Sequence, residues 1–585
     1  MNVVVIIGLF ITAVTLVPVW RQFANHPRGL LVLFFAEMWE RFSYYGMRGL
    51  LIFYLTQHFL FDDASAQALY GSYTSLVYLT PLIGGLLADR YLGTRKAVAF
   101  GALLLVAGHC LMAYEGRPAQ QALKVDGQLY EFVIEGRASA RTSQLKIEDQ
   151  LYDFGADKDG AFLIKDFAGT SSLAPRLDKG SYELVVTSRD QWATNNLYLA
   201  LSLIILGVAF LKPNISAIVG QLYPANDPRR DPGFTLYYYG INLGAFWASI
   251  LCGLLGQTVG WWAGFGLAGL GMIAGFLVFV WGKPLLEGHG EPPEPNALSA
   301  PLIGPLSKEM CLYIFSLLGV ILLWFLVQRH ELVGGLLLIA SLFIVGYLAF
   351  LMRTSLSREE SHRLILALIL IGAAVIFWTL FEQAGSSLNQ FANRNTELSL
   401  FGASITAAQT QSFNAGFILI LAPIFSALWA FLGSRGQDLS APLKFGCALI
   451  QVGLGFLVLV YGAQFAGADF KVPLLFLMLA YLLHTTGELF ISPVGLSQMT
   501  KLATATLIST LMAVWFLSSA WAQWLGALIA QMTATETVAG QVLNPERSLS
   551  TYAAVFYEIG LWAIGFGLLL MLLSRWLQRL SHGVK

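Results

Sequence analysis

The residues of this chain that could do chemistry are a few ionisable side chains set inside long apolar runs: Glu37, Glu40, Arg41, Arg48, Lys212, Glu382 and Glu488. A charge in such a stretch is expensive unless it has a partner or a task. In a helix of about 100° per residue, Glu37, Glu40, Arg41, Tyr44, Tyr45 and Arg48 share one face roughly 140° wide. That helix presents two acids, two bases and two phenols to an interior space. The two bases together with Lys212 exceed what Glu37 and Glu40 neutralise, and Glu382 and Glu488 supply the remaining negative charge. Separated positive and negative poles suit a zwitterion. Arg offers a planar fork to a carboxylate, and a lone Glu with amide side chains holds an ammonium group. A carboxyl paired with Arg or Lys takes up a proton when a conformational change breaks the pair, so the same set can act as a proton switch. The competing reading is static pairing that glues helices together. His484, four residues before Glu488 and on the same helical face, reads as a packing or hydrogen-bonding residue.

The surrounding sequence is that of a membrane protein. Of 585 residues, 56% are hydrophobic and 12% charged, with a mean hydropathy of +0.65. Soluble domains carry about 25% charged residues, so a soluble protein is excluded. The 13% aromatic content and 57 glycines suit helices that pack closely and end at membrane interfaces. Thirty-five Lys and Arg balance thirty-five Asp and Glu, which gives no reason to expect a nucleic-acid partner. Cys110, Cys252, Cys311 and Cys447 lie in apolar runs without paired spacing, so neither a disulfide framework nor a metal site is expected.

A membrane-crossing helix needs about 20 apolar residues. Runs of this kind fall near 2–20, 30–57, 66–91, 96–114, 192–222, 234–254, 258–282, 309–328, 332–352, 360–390, 408–433, 441–464, 472–499, 504–532 and 550–578, fifteen in all. The first has no Lys or Arg before it and no convincing cleavage site, and Arg21 and Arg28 follow it, so it reads as a retained helix rather than a signal peptide. Arg90, Arg95, Lys96, Arg229, Arg230 and most other cations then gather on one side, expected to be cytoplasmic. Only Arg329, Arg394, Lys471 and Arg547 fall in short loops opposite. This orientation sets the N-terminus outside and the C-terminus inside. Between Glu115 and Asp190 the chain is polar and alternating, as in LYEFVIEG and SYELVVTS, which predicts a small β-rich domain on the outside, read as a lid or spacer. The stretch Lys283 to Lys308, with GEPPEPNALSAP, reads as a cytoplasmic linker between two halves.

The run Glu37-Met38-Trp39-Glu40-Arg41-Phe42-Ser43-Tyr44-Tyr45-Gly46 matches the pattern E-x-x-E-R-F-x-Y-Y-G. GGLLADRYLGTRK at 84–96, FLKPNISAIVGQLY at 210–223 and YYYGINLG at 237–244 follow it. Then come FWTLFEQ at 377–383, QSFN at 411–414, ELFISP at 488–493 and WFL at 515–517. In this order the motifs resemble those of the proton-dependent oligopeptide transporter family of the major facilitator superfamily. The resemblance covers 27–580 apart from the insert.

The resemblance implies an all-α membrane protein of the major facilitator fold, two six-helix bundles with two inter-bundle helices. To these the chain adds an N-terminal helix and a small β-rich extracytoplasmic insert. The expected division is 1–26 for the added helix, 27–114 and 191–282 for the N-terminal bundle and 115–190 for the insert. The linker takes 283–308, the inter-bundle helices 309–353 and the C-terminal bundle 354–585. By the same resemblance, Arg41 and Lys212 bind a peptide carboxylate, and Asn242, Asn414 and Glu488 its amino terminus and backbone. Tyr44, Tyr45, Tyr78 and Trp515 line side-chain pockets. Glu37, Glu40, Arg41, Lys212 and Glu382 couple a proton, an Arg48–Glu382 pair gates the outside and a Lys212–Glu488 pair the inside. The implied activity is proton-coupled import of di- and tripeptides across a bacterial inner membrane by alternating access. The proton is the coupling ion, and no other cofactor, metal or obligate protein partner is expected.

Gly71 stands where animal members have a histidine, and Phe381 where some bacterial members have a second acid beside the equivalent of Glu382. Proton entry must then rest on carboxylates. Relatives with this fold also move amino acids or nitrate, but a lone anion has no need of Glu488. A membrane receptor or enzyme is the other class; the chain has no H-E-x-x-H, G-x-S-x-G or P-loop motif.

Overall fold

The computed structural model describes residues 2–583 apart from 158, 171, 172, 225 and 504–506. Thirteen helical segments among the described residues are long and apolar enough to cross a membrane. The charge-bearing helix α2 (Gly29–Phe53) and the broken pair α3 (Asp63–Leu79) and α4 (Pro81–Leu87) accompany them. α1 is Val3–Gln22, and α5 (Thr94–Met112), α6 (Gln191–Gln221), α7 (Arg230–Thr258) and α8 (Trp261–Trp281) complete the first bundle. After a short helix α9 (Pro295–Ser299) come α10 (Lys308–Val327) and α11 (His330–Thr354). The second bundle contains α12 (Arg358–Phe381), α13 (Ser387–Asn395), α14 (Ser412–Ser434), α15 (Ala441–Gly462), α16 (Leu474–Leu502), α17 (Ile508–Met532) and α18 (Pro545–Leu572).

Within the first bundle α5 packs along α6, and α2 along α7 and α8; within the second, α15 packs along α16 and α18. The bundles meet at two seams, α3 against α17 and α7 against α14. The helices outside the bundles lie over these seams. α1 packs on α7 and α14, where Thr15 and Trp247 hydrogen-bond to Tyr239 and Thr12. α11 packs on α3 and α17.

Small residues let the helices that carry the charges come close. Pro213, next to Lys212, has no N–H to give the Ala209 carbonyl, and the Gly84 backbone packs against that carbonyl so closely that a Cβ would collide with it. Gly244 approaches the Met38 carbonyl on α2 in the same way, setting α7 close along α2. Side chains start the helices: Asp62 accepts from the Ser65 N–H at 2.9 Å and Asp190 from the Ala193 N–H at 3.0 Å, while Ser357 and Glu360 form a capping box.

The segment between α5 and α6 folds as β-structure. An antiparallel sheet contains β1 (Gln120–Val125), β2 (Gln128–Glu135), β3 (Thr142–Ile147), β4 (Gln150–Tyr152) and, after three strands of a second sheet, β8 (Glu183–Ser188), in the order β4-β3-β2-β1-β8. The second sheet consists of β5 (Phe154–Ala156), β6 (Phe162–Ile164) and β7 (Arg176–Leu177). The stretch read as a linker, 283–308, is folded against the first bundle in part. Leu286 and Leu298 are buried, Gly290 accepts from the Arg95 N–H at 2.8 Å, and the Arg95 guanidinium bonds Glu291 at 2.7 and 2.9 Å.

Candidate substrate and proton site

The α2 residues lie along one buried face, as their spacing requires. Glu37 and Glu40 are each 1% exposed. Arg41 donates from Nε to Glu37 Oε1 at 2.8 Å, and Glu40 Oε2 lies 3.2 Å from the same nitrogen. Neither Glu40 oxygen has a hydrogen-bond partner among the described residues. Seven residues on, Arg48 donates from Nη2 to Glu382 and from Nε to the Tyr70 hydroxyl at 2.6 Å. Glu382 reaches it because α12 ends at Phe381 in a 3-10 turn, and Gly385 in that turn has no Cβ to meet Arg48 Nε and Nη2, which would lie 3.1 Å from it.

Of the remaining polar residues, Lys212 and Asn242 stand in the same bundle as α2, and Glu488 and Asn414 across the seam. Lys212 holds its ammonium group over the Tyr78 ring, 4.0 Å from the centroid, and not against Glu488. Glu488 Oε2 accepts from Asn414 Nδ2 at 3.1 Å, and the same amide donates to Thr485 at 2.9 Å. The Lys212–Glu488 pair is therefore not made in this conformation. Asn242 donates to the Tyr238 carbonyl one turn back at 3.0 Å. Tyr78, Glu382 and Trp515 line one cavity of about 230 Å³ together with Trp378, Ser492, Ser519 and Gln523. Tyr44 and Tyr45 pack edge to face at 5.4 Å, with the Tyr44 hydroxyl buried and without a hydrogen-bond partner among the described residues. His484 has no charged hydrogen-bond partner among the described residues; its Nε2 lies 3.1 Å from the Val452 carbonyl, a packing arrangement.

Several polar residues that sequence reading missed join the bundles at the end carrying the insert. Asp63 on α3 and Arg394 on α13 form a buried two-pronged pair at 2.6 and 2.7 Å, with side chains 1% and 6% exposed. The Thr535 N–H donates to Asp63 at 3.0 Å, Gln67 bonds Gln390 at 2.6 Å, and Asn389 donates to the Gly49 carbonyl at 3.0 Å. Arg394, expected as a charge in a loop, thus sits at a helix end inside the seam. Removing one partner of a buried pair strands the other charge, at a cost of about 3–5 kcal/mol. Arg394→Ala is expected to lower the thermal midpoint of the purified protein by several degrees, and Asp63→Asn added to it to restore most of the loss. Thermal unfolding of the two variants in detergent checks both.

The arrangement holds three cations, Arg41, Arg48 and Lys212, against four carboxyls, Glu37, Glu40, Glu382 and Glu488, in two poles on opposite sides of a seam.

Comparison with known proteins gives this architecture a family. The sequence model of the POT family (PTR2) matches residues 95–546. An uncharacterized transporter, YclF, of Bacillus subtilis (strain 168) is 33% identical, the alignment covering 96% of this chain and 97% of that protein. Dipeptide and tripeptide permease B of Shigella dysenteriae serotype 1 (strain Sd197) is 28% identical over 95% and 96%. A crystal structure of a variant of the peptide transporter POT in complex with alafosfalin is 32% identical, superposes with a TM-score of 0.71 and covers 95% of this chain and 96% of its own. With the family model matching most of its length and the charge-bearing helices in place, the chain belongs to the POT family of multi-pass membrane transporters, with the major facilitator fold.

Proposed function

We propose that the protein is a proton-coupled symporter that imports di- and tripeptides across a bacterial inner membrane by alternating access. The end carrying the insert and the N-terminus faces outside, and the C-terminus faces the cytoplasm, as the Lys and Arg distribution favours. A relative sold on this chemistry by its name, the dipeptide and tripeptide permease, and the transporter solved with alafosfalin support the substrate class.

The observation that carries the reading is the pair of unequal poles. Arg41 and Arg48 both have acid partners, whereas the Lys212 ammonium lies over the Tyr78 ring and makes no ion pair among the described residues. Lys212, with Arg41 beside the acids, is assigned the peptide carboxylate. Among the described residues Glu488 has no cationic partner and is steadied by an amide, so it takes the peptide ammonium, with Asn414 and Asn242 on the backbone. Tyr44, Tyr45, Tyr78 and Trp515 receive the side chains, through ring faces and apolar contact that tolerate variety. A dipeptide zwitterion adds no net charge, and three cations against four carboxyls leave one carboxyl without a countercharge. One proton balances the set, and Glu37 and Glu40, which share Arg41, are its seats. The bonds of Arg48 to Glu382 and of Asp63 to Arg394 close the outside. Release inside proceeds while Lys212 and Glu488 are apart, and their pairing closes the inside for return.

Binding of dialanine against its capped forms tests this reading. Dialanine is expected to bind, and N-acetyl-dialanine and dialanine amide each to lose about 2–3 kcal/mol, a charge-assisted contact at one pole. Equal binding of all three, measured by calorimetry on the purified protein, would remove the two-pole assignment. A nitrate or single-anion carrier would instead lose nothing when the amino group is capped.

A further inference from the structure

The insert is built into the transporter's seam. It leaves the membrane between two helices of the first bundle and is fixed to that bundle at both of its ends. The Ala119 N–H donates to the His58 carbonyl at 2.8 Å, and the Tyr54 hydroxyl and His58 Nε2 reach the Glu115 carbonyl at 3.0 and 2.6 Å. Arg189 donates to the carbonyls of Phe59 and Leu60 at 2.8 and 3.1 Å, with its guanidinium over Phe61. Insert and first bundle therefore move as one body.

The apolar core of the insert is completed by the other bundle. Leu123, Val125, Phe132, Leu145, Ile147 and Phe162 pack with Val538, Ala539 and Leu543 from the connection between α17 and α18. Val538 and Ala539 are 0% exposed although they belong to a loop. This loop is a hairpin, Thr537–Val538 against Gln541–Val542, turning through Ala539 and Gly540 with φ of 52° and 76°. Such a left-handed pair makes the tight turn that suits a hairpin. Its tip enters a slot with one wall from the first bundle and the other from the insert. On one side a Cβ at Gly540 would meet Gln57 Cα and the Thr56 carbonyl at 3.0 Å. On the other, Arg141 spans the slot, donating to the Ala539 carbonyl at 2.8 Å and the Gln57 carbonyl at 3.1 Å. The Ala539 N–H donates to Gln121 at 2.6 Å, Ser143 donates to Gln541 at 2.8 Å, and Gln541 donates to the Arg141 carbonyl at 2.7 Å.

We propose that the insert is an outer latch: it grips the hairpin of the second bundle, holds the transporter closed to the outside, and must release the hairpin each time the outside opens. The inference rests on the alternating-access reading above. Opening would separate the bundles at this end and draw Val538, Ala539 and Leu543 out of an apolar core into water, besides breaking the hydrogen bonds across the slot. The latch therefore weights the equilibrium toward the inward-facing form, whichever peptide is carried.

The test uses the full chain in nanodiscs, with the four native cysteines replaced and spin labels on the exposed residues Ser65 and Ser399, one on each bundle at the outer end. Distances between the labels are measured by double electron–electron resonance. Val538→Asp and, separately, Arg141→Ala are expected to raise the population with the longer outer distance, by about tenfold for the buried charge. A second pair, Ser143→Cys with Gln541→Cys, joined by a short bifunctional thiol reagent, is expected to stop dialanine uptake in proteoliposomes until the link is cleaved. Labelled protein whose distances are unchanged in both point variants, or linked protein that transports at the unlinked rate, would overturn the latch. The distance measurement needs no substrate, so unlinked protein that moves no dialanine would count against the peptide reading while the distances still decide the latch.

Discussion

Lys212→Ala is expected to abolish peptide binding at usable concentrations while leaving the protein folded. Of the three cations at the site, Arg41 is held by Glu37 and Glu40 and Arg48 by Glu382, so each loosens a partner when it turns to a substrate. Lys212 rests on the face of Tyr78, a weaker contact that a carboxylate can replace. The loss of a buried charge-assisted contact is worth about 3 kcal/mol, somewhat more than a hundredfold in affinity. No ion pair breaks when Lys212 goes, so the thermal midpoint should fall little. Calorimetric titration of dialanine and a thermal melt on the same preparation check both halves. A variant that binds normally, or one that fails to fold, would support the reading in which these charges only glue helices together.

Glu40→Gln is expected to uncouple the transporter. Three cations against four carboxyls leave one site for a proton, and the amide removes that site while keeping shape and polarity. The substrate can then cross in both directions, but no charge accompanies it. A co-transported proton draws about 2.3 kcal/mol from each 100 mV of membrane potential, enough for about a fiftyfold accumulation. The variant should lose all of it and retain exchange of internal for external peptide. Loss of exchange together with accumulation would make Glu40 structural. Neither of its oxygens has a hydrogen-bond partner among the described residues, which is why it is preferred to Glu37, whose Oε1 is held by Arg41.

The charges on α2 could be read from the sequence because a period of 3.6 residues puts them on one face whatever surrounds the helix. The motifs could be read because each carries its own local geometry: Pro213 frees the carbonyl that Gly84 approaches, and the break after Phe381 aims Glu382 at Arg48. What the sequence concealed lies between distant segments. Asp63 and Arg394 each look like an ordinary charge at the end of an apolar run, and only the meeting of α3 with α13 makes them a buried pair. The hairpin at Ala539 and Gly540 lies between two apolar runs and has too few apolar residues of its own to announce a core; the insert supplies the rest. The proline-rich stretch gave no hint that Leu286 and Leu298 would be buried, because two isolated leucines have no periodicity.

The central claim, proton-driven peptide import, is tested most directly by dialanine uptake into proteoliposomes holding the purified protein, with an acidic exterior, an inside-negative potential and a protonophore control. The account predicts accumulation above the external concentration that collapses when the protonophore is added. Uptake that only equilibrates, or accumulation indifferent to the protonophore, would contradict it.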